Sequence, residues 1–99
     1  MALTWEQKLE ALQCLGDVCL RMRKPGDWYV SASGREIGGD GCLVGEFGNG
    51  TTPEEAVEDE WMRYVTELPL GRYIVLGAFS DNRRHVRWNG FMWQDIPVK

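Results

Sequence analysis

Residues 48–55 read Gly-Asn-Gly-Thr-Thr-Pro-Glu-Glu and predict the start of a central helix. Thr52 suits the N-cap, Pro53 suits the first helical position, and Glu55 suits the third, where it would complete a capping box. Acidic residues in this first turn also complement the helix dipole. A core-facing stripe follows at helical spacing and comprises Val57, Trp61, Tyr64, Val65 and Leu68. We therefore predict a helix over residues 53–67.

A second helix is predicted near the N-terminus, where Thr4 and Gln7 match the capping-box pattern. An apolar stripe of Trp5, Leu9, Leu12 and Leu15 follows, and Gly16 offers a stop. Residues 18–22 fit either a short strand or a further helical turn. A Pro-Gly turn within residues 23–27 leads to a predicted strand over residues 28–32, with Trp28 and Val30 on one face.

Glycines and a hairpin motif organise the remaining strands. Residues 34–41 hold four glycines and predict a flexible connection, followed by a strand over residues 42–47. Residues 72–79 predict another strand, because they are rich in β-branched and aromatic side chains. Asn89-Gly90 then predicts a two-residue type I′ turn between residues 85–88 and 91–94. This register pairs Trp88 with Phe91, Arg87 with Met92 and Val86 with Trp93, and it predicts a buried face of Val86, Trp88, Phe91 and Trp93.

These elements predict an α+β fold in a single domain over residues 1–99. The expected order is α-β-β-α-β-β-β, with an antiparallel sheet of about five strands and two helices on one face. Five tryptophans are spread over the chain, and a small domain gains much of its buried apolar area from such rings. The alternative for one or two of them is a role as anchors for a partner.

Charge and cysteine usage limit the classes of function. The chain carries 11 basic and 15 acidic residues, a formal net charge of −4, which disfavours general affinity for nucleic acid. Three cysteines without a CxxC spacing, together with one histidine, argue against a disulfide framework and a closed zinc site. We expect reduced, mostly buried thiols in a cytoplasmic protein without cofactor or metal, signal peptide or membrane span.

Catalytic motifs are scarce. His85 is the one histidine and lies among Arg83, Arg84 and Arg87, with no nucleophile placed beside it by the sequence. An acidic group comprises Glu54, Glu55, Glu58, Asp59 and Glu60, of which residues 54 and 58, or 55 and 59, share a helical face. It indicates a solvated surface or a docking surface for a basic partner rather than a metal site. We therefore expect no enzymatic activity.

Two basic groups offer a nucleic-acid alternative. Arg21, Arg23 and Lys24 form one, and Arg83, Arg84 and Arg87 form the other. If the fold brings the two groups together, they would form a basic patch flanked by aromatic rings, as in proteins that bind single strands. The competing interpretation is solubilising charge near turns.

Three stretches, residues 25–31, 48–59 and 87–93, together resemble small proteins encoded by tailed bacteriophages and prophages of proteobacteria. The resemblance implies no activity and no functional residue. Small acidic phage proteins of this size include inhibitors of host defence such as anti-CRISPRs. Residues 48–68 are also similar to antitoxin domains of the HicB type and to double-stranded-RNA-binding domains, although the latter begin this helix with basic residues and this chain begins it with acidic ones.

The sequence thus predicts a non-enzymatic, phage-type accessory protein that binds another protein, of the host or the phage, with inhibition of a host defence complex as one form. The alternative is a nucleic-acid-binding module that uses the strand at residues 83–87 and the turn at residues 21–24. We expect a monomer or homodimer in the host cytoplasm, without membrane contact. The candidate partner-binding residues are Glu54, Glu55, Glu58, Asp59, Arg83, Arg84, Arg87 and Met92.

Overall fold

The structure, a computed structural model, describes residues 3–32, 35–39, 47–77 and 82–97. Across these ranges the chain forms an α+β fold, as the sequence predicts. The helices are α1 (Trp5–Gln13) and α2 (Pro53–Trp61), and α2 continues into a π-helical turn (Met62–Thr66). The strands are β1 (Val18–Lys24), β2 (Asp27–Ala32), β3 (Arg35–Gly38), β4 (Gly48–Gly50), β5 (Tyr73–Leu76), β6 (Arg84–Trp88) and β7 (Trp93–Ile96).

The strands form two antiparallel sheets instead of the single sheet of about five strands that we predicted. Sheet A has the order β1-β2-β4, and sheet B has the order β3-β5-β6-β7. The additional strand β3 lies within residues 34–41, where the glycines predicted a connection. The predicted strand over residues 42–47 falls mostly outside the described residues, and the strand in this part of the chain is β4, at Gly48–Gly50.

Both helices begin where their capping motifs predict. The Thr4 side chain accepts a hydrogen bond from the Gln7 backbone N–H, and the Gln7 side chain accepts one from the Thr4 backbone N–H. Thr52 likewise accepts a hydrogen bond from the Glu55 N–H at 3.1 Å. The capping box predicted for α2 remains half formed, because the Glu55 carboxylate accepts from the Thr51 hydroxyl at 2.9 Å. The helical path through residue 66 confirms the predicted extent of this element.

The segment that the sequence left open, residues 18–22, is part of strand β1. It pairs with β2 through the turn at Pro25 and Gly26, where Gly26 has the positive φ of 79° that the turn requires. Val30 is fully buried on β2, and Trp28 packs against the same cluster, so these two residues share a face as predicted.

The C-terminal hairpin differs from the prediction in register. Trp88 pairs with Trp93, Arg87 with Gln94 and Val86 with Asp95, so residues 89–92 form the loop. Within it, the Asn89 Oδ1 accepts hydrogen bonds from the N–H groups of Phe91 and Met92, both at 2.9 Å. No described non-glycine residue has a positive φ, so Asn89 does not adopt the conformation that a type I′ turn requires. The hydrogen bonds to the Asn89 side chain therefore stabilise a four-residue loop instead of the two-residue turn.

The core is divided between the two sheets and joined by the α2 element. Val30, Ala56 and Val57 form the cluster under sheet A, with Trp5, Leu9, Val18, Leu20 and Trp28 packed around it. Tyr64, Ile74 and Val86 form the cluster under sheet B, with Leu15, Ile37, Val65, Leu76 and Trp93 around it. Because α2 supplies the first cluster and its π-helical turn supplies the second, one helical segment fixes both sheets.

A buried arginine on β3 of sheet B contacts the helical part of the fold. Arg35 on β3 is only 2% exposed, and its Nη1 donates a hydrogen bond to the Leu12 carbonyl at 3.1 Å. The guanidinium lies 5.5 Å from the centre of the Tyr64 ring, whose hydroxyl donates to the Arg35 carbonyl. Burial lowers the pKa of Arg35, and the charge of the fully buried Glu60 opposes that change. The arginine therefore connects α1, β3, α2 and the π-helical turn.

Helix α2 approaches β4 so closely that only glycine fits at two positions. A Cβ on Gly48 would overlap the Ala56 carbonyl oxygen and lie 2.7 Å from the Glu60 Cβ, and a Cβ on Gly50 would lie 2.6 Å from the Ala56 nitrogen. Both contacts involve helix atoms that have little freedom to move. The absence of side chains here thus allows the helix to pack directly on the strand.

We predict that Gly48→Ala lowers the free energy of unfolding by about 2 kcal/mol or more, because overpacking forces the helix away from β4. Asn49→Ala is the matched control on the same strand, and its exposed side chain should make the loss smaller, about 0.5–1 kcal/mol. Urea denaturation of the three proteins measures both values. Equal losses in the two variants would contradict the packing explanation.

Candidate binding surfaces

Seven of the eight predicted partner-binding residues lie in two grooves and one loop, and Arg84 lies outside all three. We call the first the acidic groove, with a volume of about 600 Å³, lined by Lys8, Glu54, Glu55, Glu58, Asp59, Trp61, Met62 and Thr66. We call the second the basic groove, of about 630 Å³, lined by Leu70, Gly71, Arg72, Tyr73, Arg83, His85, Arg87, Ile96 and Pro97. The loop, residues 89–92, is the hairpin tip and contains Met92.

The carboxylates of the acidic groove are engaged mainly in holding the helix in place. Glu58 accepts from Lys8 Nζ at 2.6 Å and so ties α2 to α1. Asp59 accepts from the Asn49 backbone N–H at 2.9 Å and from Arg63 Nε at 3.2 Å. Glu55 is bonded to Thr51, whereas the structure gives Glu54 no such contact among the described residues. The groove thus combines a structural role with an acidic surface.

In the basic groove, His85 is held between an aromatic ring and a guanidinium. Its ring stacks on Tyr73 with 4.2 Å between centres and 19° between planes. Arg83 Nε donates a hydrogen bond to His85 Nε2 at 2.9 Å. Since Nε2 accepts, the neutral ring carries its proton on Nδ1. Burial and the Arg83 charge both lower the pKa of His85. The imidazole is therefore kept neutral near pH 7.

Arg87 has a structural task within the same groove. Its Nη1 donates to the carbonyls of Pro69 and Arg72 at 2.9 and 2.6 Å, and its Nη2 donates to the Leu68 carbonyl at 3.0 Å. These carbonyls belong to the loop that follows the π-helical turn. Arg87 therefore fixes this loop against β6 and adds a positive charge to the groove.

The two basic groups of the sequence do not form one patch. Arg84 does not line the basic groove and is bonded to Asp95 at 2.9 and 3.0 Å. Arg23 pairs with Asp27 at 3.2 Å and lies over the Tyr29 ring at 4.2 Å. Residues 21–24 lie on edge strand β1 of sheet A, whereas residues 84–87 lie on β6 of sheet B. Positive side chains along an exposed edge strand also protect it from pairing with another chain.

The hairpin tip exposes two large apolar side chains. Phe91 is 90% exposed and Met92 is 62% exposed, so the prediction that Phe91 joins the buried hairpin face is wrong. Below the tip, Trp88 and Trp93 pack edge-to-face at 5.1 Å, and Trp61 of α2 contacts both rings. Trp93 Nε1 also donates to the Ala11 carbonyl at 2.7 Å. The strands below the tip are therefore packed against α2 and hydrogen-bonded to α1.

Several groove residues were missed by the sequence reasoning. Arg72, Tyr73 and Leu70 were assigned no role, yet they form one side of the basic groove. The pairing of Ile74 with Val86 puts Tyr73, His85 and Arg87 on the opposite face of the sheet from the core. Strand alternation would have revealed this face once the register of β5 and β6 was known.

The thiols also differ from expectation. Cys14 and Cys19 are exposed, and both are free, in contrast to the predicted burial; Cys42 lies outside the described residues.

Within the described ranges, no three His, Cys, Asp or Glu side chains converge in a way that could hold a metal ion. In the same part of the chain, the helices are too short and too polar to cross a membrane.

Comparisons of the chain with protein-family models, with curated proteins and with solved structures found no match.

We predict that His85 makes folding less favourable in mild acid. Because its pKa in the folded protein lies below the usual 6.5, the unfolded chain binds the proton more readily. The contribution of neutral His85 to the free energy of unfolding is fully present above pH 6.5. It is lost as the pH falls through the folded-state pKa. The melting temperature of His85→Gln should therefore drop less than that of the wild type between about pH 7.5 and about pH 5.

Thermal denaturation of both proteins at the two pH values tests this prediction. An NMR titration of the wild type provides a direct control, since the chain has a single histidine. Identical decreases for wild type and variant, or an imidazole pKa above 6.5, would contradict the assigned environment.

Proposed function

We propose that this protein is a non-enzymatic accessory protein that binds another protein through the hairpin tip. The observation that carries the proposal is the exposure of Phe91 and Met92, adjacent in sequence, at 90% and 62%. Large aromatic and methionine side chains are enriched at the centres of protein interfaces. An isolated exposed apolar residue is common, but two neighbours at the end of a hairpin form a compact projection suited to a pocket on a partner.

The order of the tip supports this role. Three hydrogen bonds of Asn89 define the loop, including one from its N–H to the Met92 carbonyl at 3.0 Å. The tryptophan cluster of Trp61, Trp88 and Trp93 anchors the strands below it. A loop that is ordered before binding loses less conformational entropy when it meets its partner. The loop that carries Phe91 should therefore lose little conformational entropy on binding.

Charge suggests the kind of partner. Trp61 contacts Trp88 and Trp93 on the hairpin strands and also lines the acidic groove, so the base of the hairpin and that groove adjoin the same ring. We propose that one partner covers the hairpin tip and the acidic groove, with an apolar pocket for Phe91 and basic residues opposite Glu54 and its acidic neighbours. Complementary charge of this kind speeds encounter and sets orientation.

The resemblance to phage and prophage proteins supports a partner from the host or the phage, and a host defence complex is the form of target that we propose. The nucleic-acid alternative receives less support from the fold. The two basic groups lie on different sheets. Arg87 donates hydrogen bonds to backbone carbonyls, and Arg84 donates to Asp95.

We predict that Phe91→Ala abolishes capture of the partner, because it removes the side chain proposed to fill the partner's pocket. The fold should be retained, because this side chain is 90% exposed and contributes little to the core. The experiment compares affinity-tagged wild type and Phe91→Ala in nuclease-treated lysate of a proteobacterial host. Met22→Ala is the matched control, since Met22 is 50% exposed but lies on β1, away from the hairpin. Circular dichroism checks that all three proteins are folded.

A photo-crosslinking amino acid at position 91 should then attach covalently to the same protein, and one at position 22 should not. Loss of capture on Phe91→Ala alone, with crosslinking from position 91, supports the proposal. Equal capture by both variants, recovery only when nucleic acid is intact, or no captured protein at all would contradict it.

A further inference from the structure

The basic groove carries a charge opposite to that of the whole chain. The protein has a formal net charge of −4, yet the described lining of this groove includes three arginines and no carboxylate. Its volume of about 630 Å³ falls within the range of small-molecule sites. A concentration of positive charge in a concave site attracts and orients an anion.

We propose that the basic groove binds a small ligand that carries a phosphate group on an apolar or aromatic body. This site is separate from the hairpin tip, and its existence does not depend on the proposed protein-binding function.

Arg83 is the residue best placed to hold the phosphate. Its Nε is engaged by His85 Nε2 at 2.9 Å, which fixes one edge of the guanidinium. The other edge, formed by the two terminal nitrogens, makes no hydrogen bond to any described residue and offers paired donors. Such a planar pair of N–H groups matches two oxygens of a phosphate. The hydrogen bond from Arg83 to His85 therefore orients a donor instead of consuming it.

Arg87 reinforces this site through its charge. Three of its five N–H groups donate to the carbonyls of Leu68, Pro69 and Arg72, so its main contribution is a positive charge held in a fixed position. His85 must stay neutral in this site, because only a neutral ring can accept the hydrogen bond from Arg83 at Nε2. The ring lines the groove beside Arg83, Arg87 and the stacked Tyr73, so its NMR signals report on a ligand that enters the groove.

Apolar side chains at the side of the groove offer a contact surface for the apolar part of the ligand. Leu70 is 94% exposed at one side of the groove, and Ile96 and Pro97 line it as well. Burial of this surface by a ring or hydrocarbon would add to the electrostatic attraction. A long nucleic-acid strand fits less well, because residues 21–24 lie on the other sheet and provide no continuation of the basic track.

The test uses the single histidine as an NMR probe. Phenyl phosphate, inorganic phosphate and phenol are titrated separately into the full-length protein at concentrations up to about 10 mM. We expect phenyl phosphate to produce a saturable shift of the His85 ring signals at a pH where the ring is neutral. Inorganic phosphate should bind more weakly, and phenol should cause no saturable shift. Thymidine monophosphate and phosphotyrosine then distinguish a nucleotide from a phosphorylated amino acid as the source of the ligand.

Variants identify the contacts. Arg83→Gln should raise the dissociation constant for phenyl phosphate by about tenfold or more, since it removes a charge-assisted hydrogen bond. Arg84→Gln is the matched control, because it removes the same charge one residue away and outside the groove. Leu70→Ala should weaken phenyl phosphate but leave inorganic phosphate unchanged.

The proposal is overturned if no saturable shift occurs or if Arg83→Gln and Arg84→Gln bind alike. It is also overturned if a short oligothymidylate binds about tenfold more tightly than thymidine monophosphate, which would assign the groove to nucleic acid.

Discussion

The guanidinium of Arg35 is the point on which the arrangement of the two sheets depends. Burying a cation at 2% exposure is costly, and the cost is offset only when opposite charge and hydrogen-bond acceptors are brought to it. Arg35 Nε and Nη2 have no hydrogen-bond partner within the described residues, so the compensation is partial. Three groups supply it: the carbonyl of Leu12, the ring of Tyr64 and the charge of Glu60. They come from α1, the π-helical turn and α2. These elements must therefore take one set of relative positions for the arginine to be accommodated.

The same constraint relates the fold to the proposed surfaces. Residues along the α2 element serve different parts of the molecule: Ala56 packs under sheet A, the charge of Glu60 raises the pKa of Arg35, Trp61 contacts the hairpin tryptophans, and Tyr64 packs under sheet B. The outer side of the helix carries the acidic groove. One helical segment therefore carries the acidic groove and also packs against the tryptophans at the base of the hairpin. A partner that uses both surfaces meets an ordered site.

Local signals in the sequence predicted the parts of the fold that depend on local chemistry. The caps at Thr4 and Thr52 and the turn at Gly26 need only neighbouring residues, and the structure confirms each of them. The strand β3 was missed, because glycine content near it suggested a connection, and its pairing with β5 is a long-range contact. The hairpin register was wrong for a different reason. The Asn-Gly pair favours a two-residue turn, but the Asn89 side chain instead binds the N–H groups of Phe91 and Met92.

The candidate surfaces were only partly accessible from sequence. Helical spacing predicted the acidic face of Glu54, Glu55, Glu58 and Asp59, but Glu60, assigned to the same solvated group, is fully buried. The basic groove required the register of β5 against β6. The exposure of Phe91 ran against its apolar character, which by itself predicts burial. Arg35 was assigned no role, because nothing in its immediate sequence distinguishes a buried arginine from an exposed one.

A double-mutant cycle on Arg35 and Glu60 measures whether the two buried groups stabilise each other. Urea denaturation gives the free energies of unfolding of wild type, Arg35→Met, Glu60→Leu and the double variant. We expect each single substitution to cost about 3–5 kcal/mol, because it leaves the other charge buried without its counterpart. The double variant should be more stable than either single variant, since it buries no charge. Single effects that simply add, within about 0.5 kcal/mol, would show that the two groups do not act together and would contradict the account.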